Sequence, residues 1–197
     1  DSWFLPFDKG YNDGAGNPPN PDGIMTDYLW KDILAKEKLT RIIESYAQVV
    51  TEVDEETKKK TVKQIFPRYH QLDAVEKILA DVMANGVGGK YLIQHSAGSG
   101  KSNSIAWLAY RLMELEVGGH PLFNSILVVT DRRILDKQIR NNIKQFAQAD
   151  NIVAWAEHSG DLRKAITDGK RIIITTIEKF PFVVPEIGAE HKDNKFA

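Results

Sequence analysis

The sequence predicts an α/β domain, a parallel sheet with helices on both faces, preceded by a connector of loop, helix and β-hairpin. Three observations predict it. From Phe66 onward, short apolar runs alternate with helically spaced apolar stripes, the pattern of a parallel sheet wound with crossover helices. The strongest runs, Ser125 to Thr130 and Arg171 to Thr176, are rich in β-branched residues, which suit a pleated, buried surface. Between one such run and a helical stripe lies a Gly-rich segment ending Gly100-Lys101-Ser102, the order strand, loop, helix that a phosphate cradle requires.

Each element follows in turn. Residues 1–26 read as loop, because Asn12 to Gly23 are nearly all turn formers, and Pro removes backbone donors while Gly resists order. Trp3, Phe4 and Phe7 are expected to pin this loop to a neighbouring surface. Thr26 is placed to cap a helix from Asp27. Leu29, Ile33, Leu34, Leu39, Ile42, Ile43 and Tyr46 recur at helical spacing, which one helix or two short ones would satisfy. Gln48–Val53 and Lys60–Ile65, separated by acidic and basic turn residues, read as a β-hairpin. Residues 1–65 are therefore assigned to a connector and 66–197 to the main domain. In that domain Leu72, Val75, Ile78, Leu79, Val82 and Met83 form one stripe, stopped near Gly86. Tyr91 to Ile93 is a short apolar run. Ile105, Leu108, Ala109, Leu112 and Met113 mark the next helix. Leu135, Ile139, Asn142 and Phe146 mark another, Ile152 to Trp155 a strand, and Leu162, Ala165 and Ile166 a short helix.

Composition narrows the class. Of the 197 residues, 42% are hydrophobic and 27% charged, enough to bury a core without covalent staples. The chain has no cysteine, which removes disulfides and thiolate metal sites and fits a reducing, cytoplasmic setting. No apolar run approaches the roughly 20 residues that span a bilayer, so no membrane role is expected. A net charge of -1 means that any contact with nucleic acid is a local patch.

The segment His95-Ser96-Ala97-Gly98-Ser99-Gly100-Lys101-Ser102 departs from the Gly-x-x-x-x-Gly-Lys-Ser/Thr pattern only in carrying His95 at the first glycine. Gly98 and Gly100 can take positive φ, so successive N–H groups, Ser99 included, can converge on phosphate oxygens. The following helix aims its positive end at the same place. Lys101 is the candidate catalytic cation at the β- and γ-phosphates of ATP, and the Ser102 hydroxyl the candidate Mg²⁺ ligand. A bare Gly-Lys-Ser also arises by chance, and the added glycines and the strand–helix setting are what argue against accident.

Upstream, Arg68-Tyr69-His70-Gln71 opens a helix. A glutamine amide can accept from the adenine amine and donate to a ring nitrogen, so Gln71 and Arg68 are candidate nucleotide-binding residues. The plainer alternative is a solvated glutamine. Downstream, Thr130, Arg132 and Arg133 stand where a strand ends and a helix begins, where α/β sheets meet ligands; they are candidate DNA contacts. Arg133, Lys137, Arg140 and Lys144 share a helical face, either a phosphate-tracking surface or a solvated one. Thr175 and Thr176 close another strand, as DNA contacts or simply as β-branched strand residues. The histidines show no metal-ligand spacing.

Taken together, these segments resemble the first RecA-like domain of a superfamily 2 helicase or translocase, over roughly Phe66 to Phe180. The finer resemblance is to the motor subunit of type I restriction enzymes. It is carried by Phe4-Leu5-Pro6-Phe7, Gly14-Ala15-Gly16-Asn17-Pro18, Tyr28-Leu29-Trp30, Ile65-Phe66-Pro67-Arg68-Tyr69-His70-Gln71, Gln94 to Ser102, and Thr176-Ile177-Glu178-Lys179-Phe180. That family also carries His at the position of His95. The resemblance implies a RecA-like phosphate-loop fold using ATP and Mg²⁺, duplex DNA as track, and methyltransferase and specificity subunits as partners. It further implies an ATP-dependent endonuclease whose nuclease and second motor domain lie elsewhere. The 197 residues contain no Asp-Glu-Ala-His box, and Asn194-Lys195-Phe196-Ala197 resembles the approach to the strand that bears it. The domain is thus expected to be incomplete and, alone, inactive. Two alternatives stand beside this reading: a phosphate-loop small-molecule kinase, which gives no role to Gln71, and an interaction module with a purely structural Gly-rich loop.

Overall fold

The structure is a computed structural model that describes residues 7–14, 16–53, 57–131, 139, 143, 152–190 and 197. The chain divides into two compact units, Asp1–Glu76 and Lys77–Ala197.

In the first unit the expected loop contains one turn, Tyr11–Gly14, in which Asn12 (φ 51°) and Asp13 (φ 58°) are left-handed, a region that Asn and Asp tolerate better than most residues. Phe7 packs against Phe66 and Tyr69, with ring centroids 6.3 and 5.9 Å away. Its carbonyl also accepts the Tyr28 hydroxyl. The pinning expected of Phe7 is present; Trp3 and Phe4 lie outside the described residues. The helical stripe after Thr26 resolves into two pieces. Leu29–Ile33 is a π-turn, in which the Leu34 N–H reaches the Leu29 carbonyl (2.6 Å), and α1 follows at Lys36–Ser45. Thr26 contributes only its carbonyl, to the Leu29 N–H. Ile33, Ile42 and Tyr46 are buried, whereas Leu34 and Ile43 are exposed. The hairpin forms as expected: β1 (Gln48–Val53) and β2 (Lys60–Ile65) pair antiparallel, from Gln48 opposite Ile65 to Val53 opposite Lys60.

Helix α2, Tyr69–Asn85, begins in the first unit and ends in the second. Leu72, Val75, Ile78, Leu79 and Val82 are buried. Gly86 (φ 80°) ends it, donating its N–H to Val82, a left-handed stop that suits glycine.

The second unit holds the parallel sheet. Its strands are β5 (Ile126–Thr130), β6 (Val153–Trp155) and β7 (Ile172–Thr176), in the order β5-β7-β6. β7 pairs parallel with both neighbours; Ile126 stands opposite Ile172 and Thr130 opposite Thr176. All five β7 residues are buried. Because alternate side chains face opposite sides, both faces of the sheet must be covered. On one, Ile173 joins Leu162, Ala165 and Ile166 of α4 (Ser159–Thr167) and Val183 of α5 (Phe180–Glu190). α3 (Lys101–Met113) packs on β5 and β7 and contributes nothing to that cluster; it covers the Ile172 and Ile174 face. Each isoleucine so buried contributes about 1.5–3 kcal/mol. Ile139 and Ile143 are helical and buried; Leu135, Asn142 and Phe146 lie outside the described residues. Between α3 and β5 a short hairpin, β3 (Glu116–Val117) with β4 (His120–Pro121), turns on Gly118 and Gly119.

One expectation fails. Tyr91 to Ile93 forms no strand, and residues 86–96 have no regular structure. A strand exists only through a neighbour, and no described strand pairs with this run; Leu92 is 91% exposed. The outer edge of β5 is met by Ala197 alone among the described residues. The Ala197 N–H donates to Ser125 and its carbonyl accepts from Leu127, a parallel bridge opposite Ile126. Beside it an apolar cavity of about 310 Å³ is lined by Ile78, Val82, Tyr91, Leu108, Leu112 and Phe123, among others. None of Gly98 to Ser102 borders it.

Candidate phosphate-binding site

The start of α3 is the candidate anion site. Gly98 (φ 73°) and Gly100 (φ 81°) take the left-handed conformations the motif requires. At Gly98 an added Cβ would meet nothing within 4 Å, so the demand for glycine there is conformational rather than steric. Gly100 is the N-cap, a residue with no side chain of its own to cap the helix. Its first turn holds no acidic residue, so no carboxylate of that turn offsets the positive end of the helix. Helix α4 differs: there Asp161 accepts the His158 N–H at 2.8 Å, closing that terminus with its own side chain.

Lys101 and Ser102 are the first two residues of α3. The Lys101 ammonium turns back into the loop, donating to the carbonyls of Ser96 (2.8 Å) and His95 (3.3 Å). Its charge is therefore held within the same turn that Gly98 and Gly100 shape. Ser99 is buried, Ser102 half-buried and Lys101 exposed. At the far end of α3, the Arg171 guanidinium donates to the Met113 carbonyl (2.6 Å) and to Phe123 (3.0 Å). That fork fastens the C-terminus of α3 to the amino end of β7. A helix lying on parallel strands and fastened there by its C-terminus runs antiparallel to them. Its N-terminus, with Gly98 to Ser102, therefore lies toward the carboxyl ends of β5 and β7, where ligands of open α/β sheets bind.

Those carboxyl ends carry the candidate DNA residues. Thr130 and Thr176 are register partners, and the Thr130 hydroxyl points to the Thr175 carbonyl at 3.5 Å. Thr130, Thr175 and Thr176 are all buried, Thr175 completely. Their hydroxyls thus face protein, as β-branched residues closing a core strand do. Arg132 and Arg133, with Lys137, Arg140 and Lys144, lie outside the described residues.

In the first unit Gln71 is 3% exposed, which excludes a solvated surface glutamine. Its side-chain oxygen accepts the Arg68 N–H at 2.9 Å. This is the reach-back bond from the third helical residue that closes a helix start. Arg68 is half-buried.

Three side-chain clamps had no signal in the sequence pattern. They are Arg171; Lys179, whose ammonium donates to the Ala156 carbonyl; and Tyr110, whose hydroxyl donates to the Ile143 carbonyl at 2.9 Å. Burial pushes the Tyr110 phenol up to about 12. Among the described residues no three His, Cys, Asp or Glu side chains converge as a metal cage would, and no helix is long and apolar enough to cross a membrane.

A parallel α/β sheet with a helix that starts at a two-glycine loop, and a lysine folded back into that loop, defines a phosphate-loop nucleotide-binding domain. Residues 70–195 match the model of the SWI2/SNF2 ATPase family, and the chain belongs to that family. ATP binding and a helicase-like ATPase character follow from that membership. Comparisons with curated proteins and with solved structures gave no match.

Proposed function

We propose that this chain is the ATP-binding part of the motor subunit of a type I restriction-modification system, an ATP-dependent duplex-DNA translocase and endonuclease. The observation that carries the motor reading is Lys101 folded back into the two-glycine loop at the start of α3, within a SWI2/SNF2 ATPase family member. The restriction reading rests on the segments around Gln71, His95 and Lys179 that resemble that subunit. In this reading the N–H groups of Gly98 to Ser102 bind the phosphates of ATP. Lys101 stabilises charge on the transferred phosphoryl group, Ser102 supplies a hydroxyl to Mg²⁺, and Gln71 and Arg68 serve the adenine. Ser102 fits that metal as a hard, neutral oxygen donor. Thr130, Arg132, Arg133, Thr175 and Thr176 border the DNA track. Because the threonine hydroxyls are buried, contact there falls to backbone groups and to the two arginines, which is the sequence-blind contact a translocating motor needs. Methyltransferase and specificity subunits supply site recognition.

The test is reconstitution. The motor subunit bearing these residues is co-expressed with methyltransferase and specificity subunits, and ATP hydrolysis is followed with and without duplex DNA. Copurification and DNA-dependent hydrolysis are expected. Lys101→Ala should lower hydrolysis by roughly a hundredfold or more, since a preorganised cation at the developing charge is removed. Near-normal hydrolysis in that variant would sink the phosphate-loop assignment. Full DNA-stimulated activity with no association to the other two subunits would redirect the reading to another superfamily 2 helicase.

A further inference from the structure

The turn after β7 ends in a cation that points inward. Ile177–Lys179 form one 3-10 turn leading directly into α5. Lys179, a basic residue beside the proposed DNA track, is only half-buried, yet its ammonium donates to the Ala156 carbonyl at 2.5 Å. Ala156 is itself fully buried, and its N–H donates to Ile174 (3.0 Å), extending the β6–β7 ladder one step past Trp155. The same ammonium therefore ties the chain leaving β7 to the chain leaving β6, across the carboxyl edge of the sheet. Thr175 and Thr176 stand inside that loop of contacts, with buried hydroxyls. A charge-assisted bond from a lysine to a carbonyl is among the stronger hydrogen bonds a protein makes, and an ammonium so engaged is directed away from an external phosphate.

We propose that Lys179 is a positioning residue for the DNA track: it fixes the turn at the carboxyl end of β7 and does not itself neutralise a phosphate. This rests on the reading of that edge as DNA-facing. The two roles separate by salt dependence. A lysine that neutralises a phosphate releases counterions, and its loss makes the plot of log affinity against log salt shallower by about 0.9. A positioning lysine leaves that slope alone and lowers affinity at every salt concentration.

The experiment titrates duplex DNA against the chain, Lys179→Met and Lys179→Arg at four salt concentrations. Lys179→Met should bind about ten- to a hundredfold more weakly, the scale of losing one hydrogen bond to a charged group, with a slope parallel to the parent. Lys179→Arg, which retains a cationic donor, should recover most of the loss. A shallower slope for Lys179→Met, or no loss of affinity, overturns the proposal. A second measurement needs no substitution: reductive methylation of the parent chain. A clamping lysine labels slowly with and without DNA, whereas a phosphate contact labels readily until DNA protects it, and that pattern would also overturn the proposal. If the parent chain binds no duplex DNA, the DNA reading of this edge falls first, and the role of Lys179 falls with it, whatever its labelling rate.

Discussion

Gln71 carries two demands on one amide. Its oxygen closes the start of α2 by accepting the Arg68 N–H, and the proposed reading of adenine draws on the same group. A carbonyl oxygen has two lone pairs and the amide two donors, so the roles are chemically compatible, and substitution separates them. Gln71→Ala removes both and should cost about 1 kcal/mol of stability from the lost cap, read as a lower melting temperature. Gln71→Glu keeps the acceptor, so the helix start and the melting temperature should hold. It lacks the donor, so preference for ATP over GTP should shrink in a competition assay. Unchanged base preference in Gln71→Glu would reduce Gln71 to a cap. The capping role was only half legible in the sequence. The Gln stands three residues after Arg68, the right spacing, but arginine is no usual N-cap. Lys179 and Arg171 were not legible as clamps at all. Their targets are backbone carbonyls 23, 48 and 58 residues away, and no local pattern encodes a partner at that distance.

Among the elements, those set by local periodicity were legible. The β1–β2 hairpin, α2, α3 and α4 follow from apolar spacing and turn residues that lie within each segment, and β5 and β7 from their β-branched runs. Elements set by a distant neighbour were not. Tyr91 to Ile93 has the composition of a strand, but pairing is a property of two segments, and the second is not among those described. The π-turn at Leu29–Ile33 likewise depends on a bond five residues back that helical spacing cannot distinguish from an α-turn. Packing between α3 and the described residues that follow β5 can be tested through Tyr110, which joins α3 to Ile143. Its phenol is pushed up to about 12 by burial, so the fold favours the neutral form. That contribution is intact below about 10, the ordinary tyrosine value, and is lost as pH rises through about 12. Tyr110→Phe should therefore be less stable at neutral pH through loss of the hydrogen bond, and should lose less of its stability between pH 10 and 12 than the parent. Parallel stability–pH curves in that window would show that Tyr110 ionises as freely in the fold as out of it.

At the scale of the whole chain, binding and turnover are predicted to separate. Gly98, Gly100, Lys101 and Ser102 provide the left-handed turns, helix N-terminus, cation and hydroxyl proposed to hold a triphosphate. Hydrolysis asks for more: an acid to complete the metal shell and position water, and a second cation to meet the developing charge. The 197 residues contain no Asp-Glu-Ala-His box. The 197-residue chain is accordingly expected to bind an ATP analogue, measured by equilibrium titration, with binding weakened in Lys101→Ala. It should release no phosphate above background, with or without duplex DNA. Robust DNA-stimulated turnover would mean that the acid is already present. Attention would then move to Asp131, which directly follows β5, to Asp136, and to Glu178 in the turn after β7. Each could be tested by its Asn or Gln variant, where loss of turnover with retained nucleotide affinity would identify the residue that takes the acid's place.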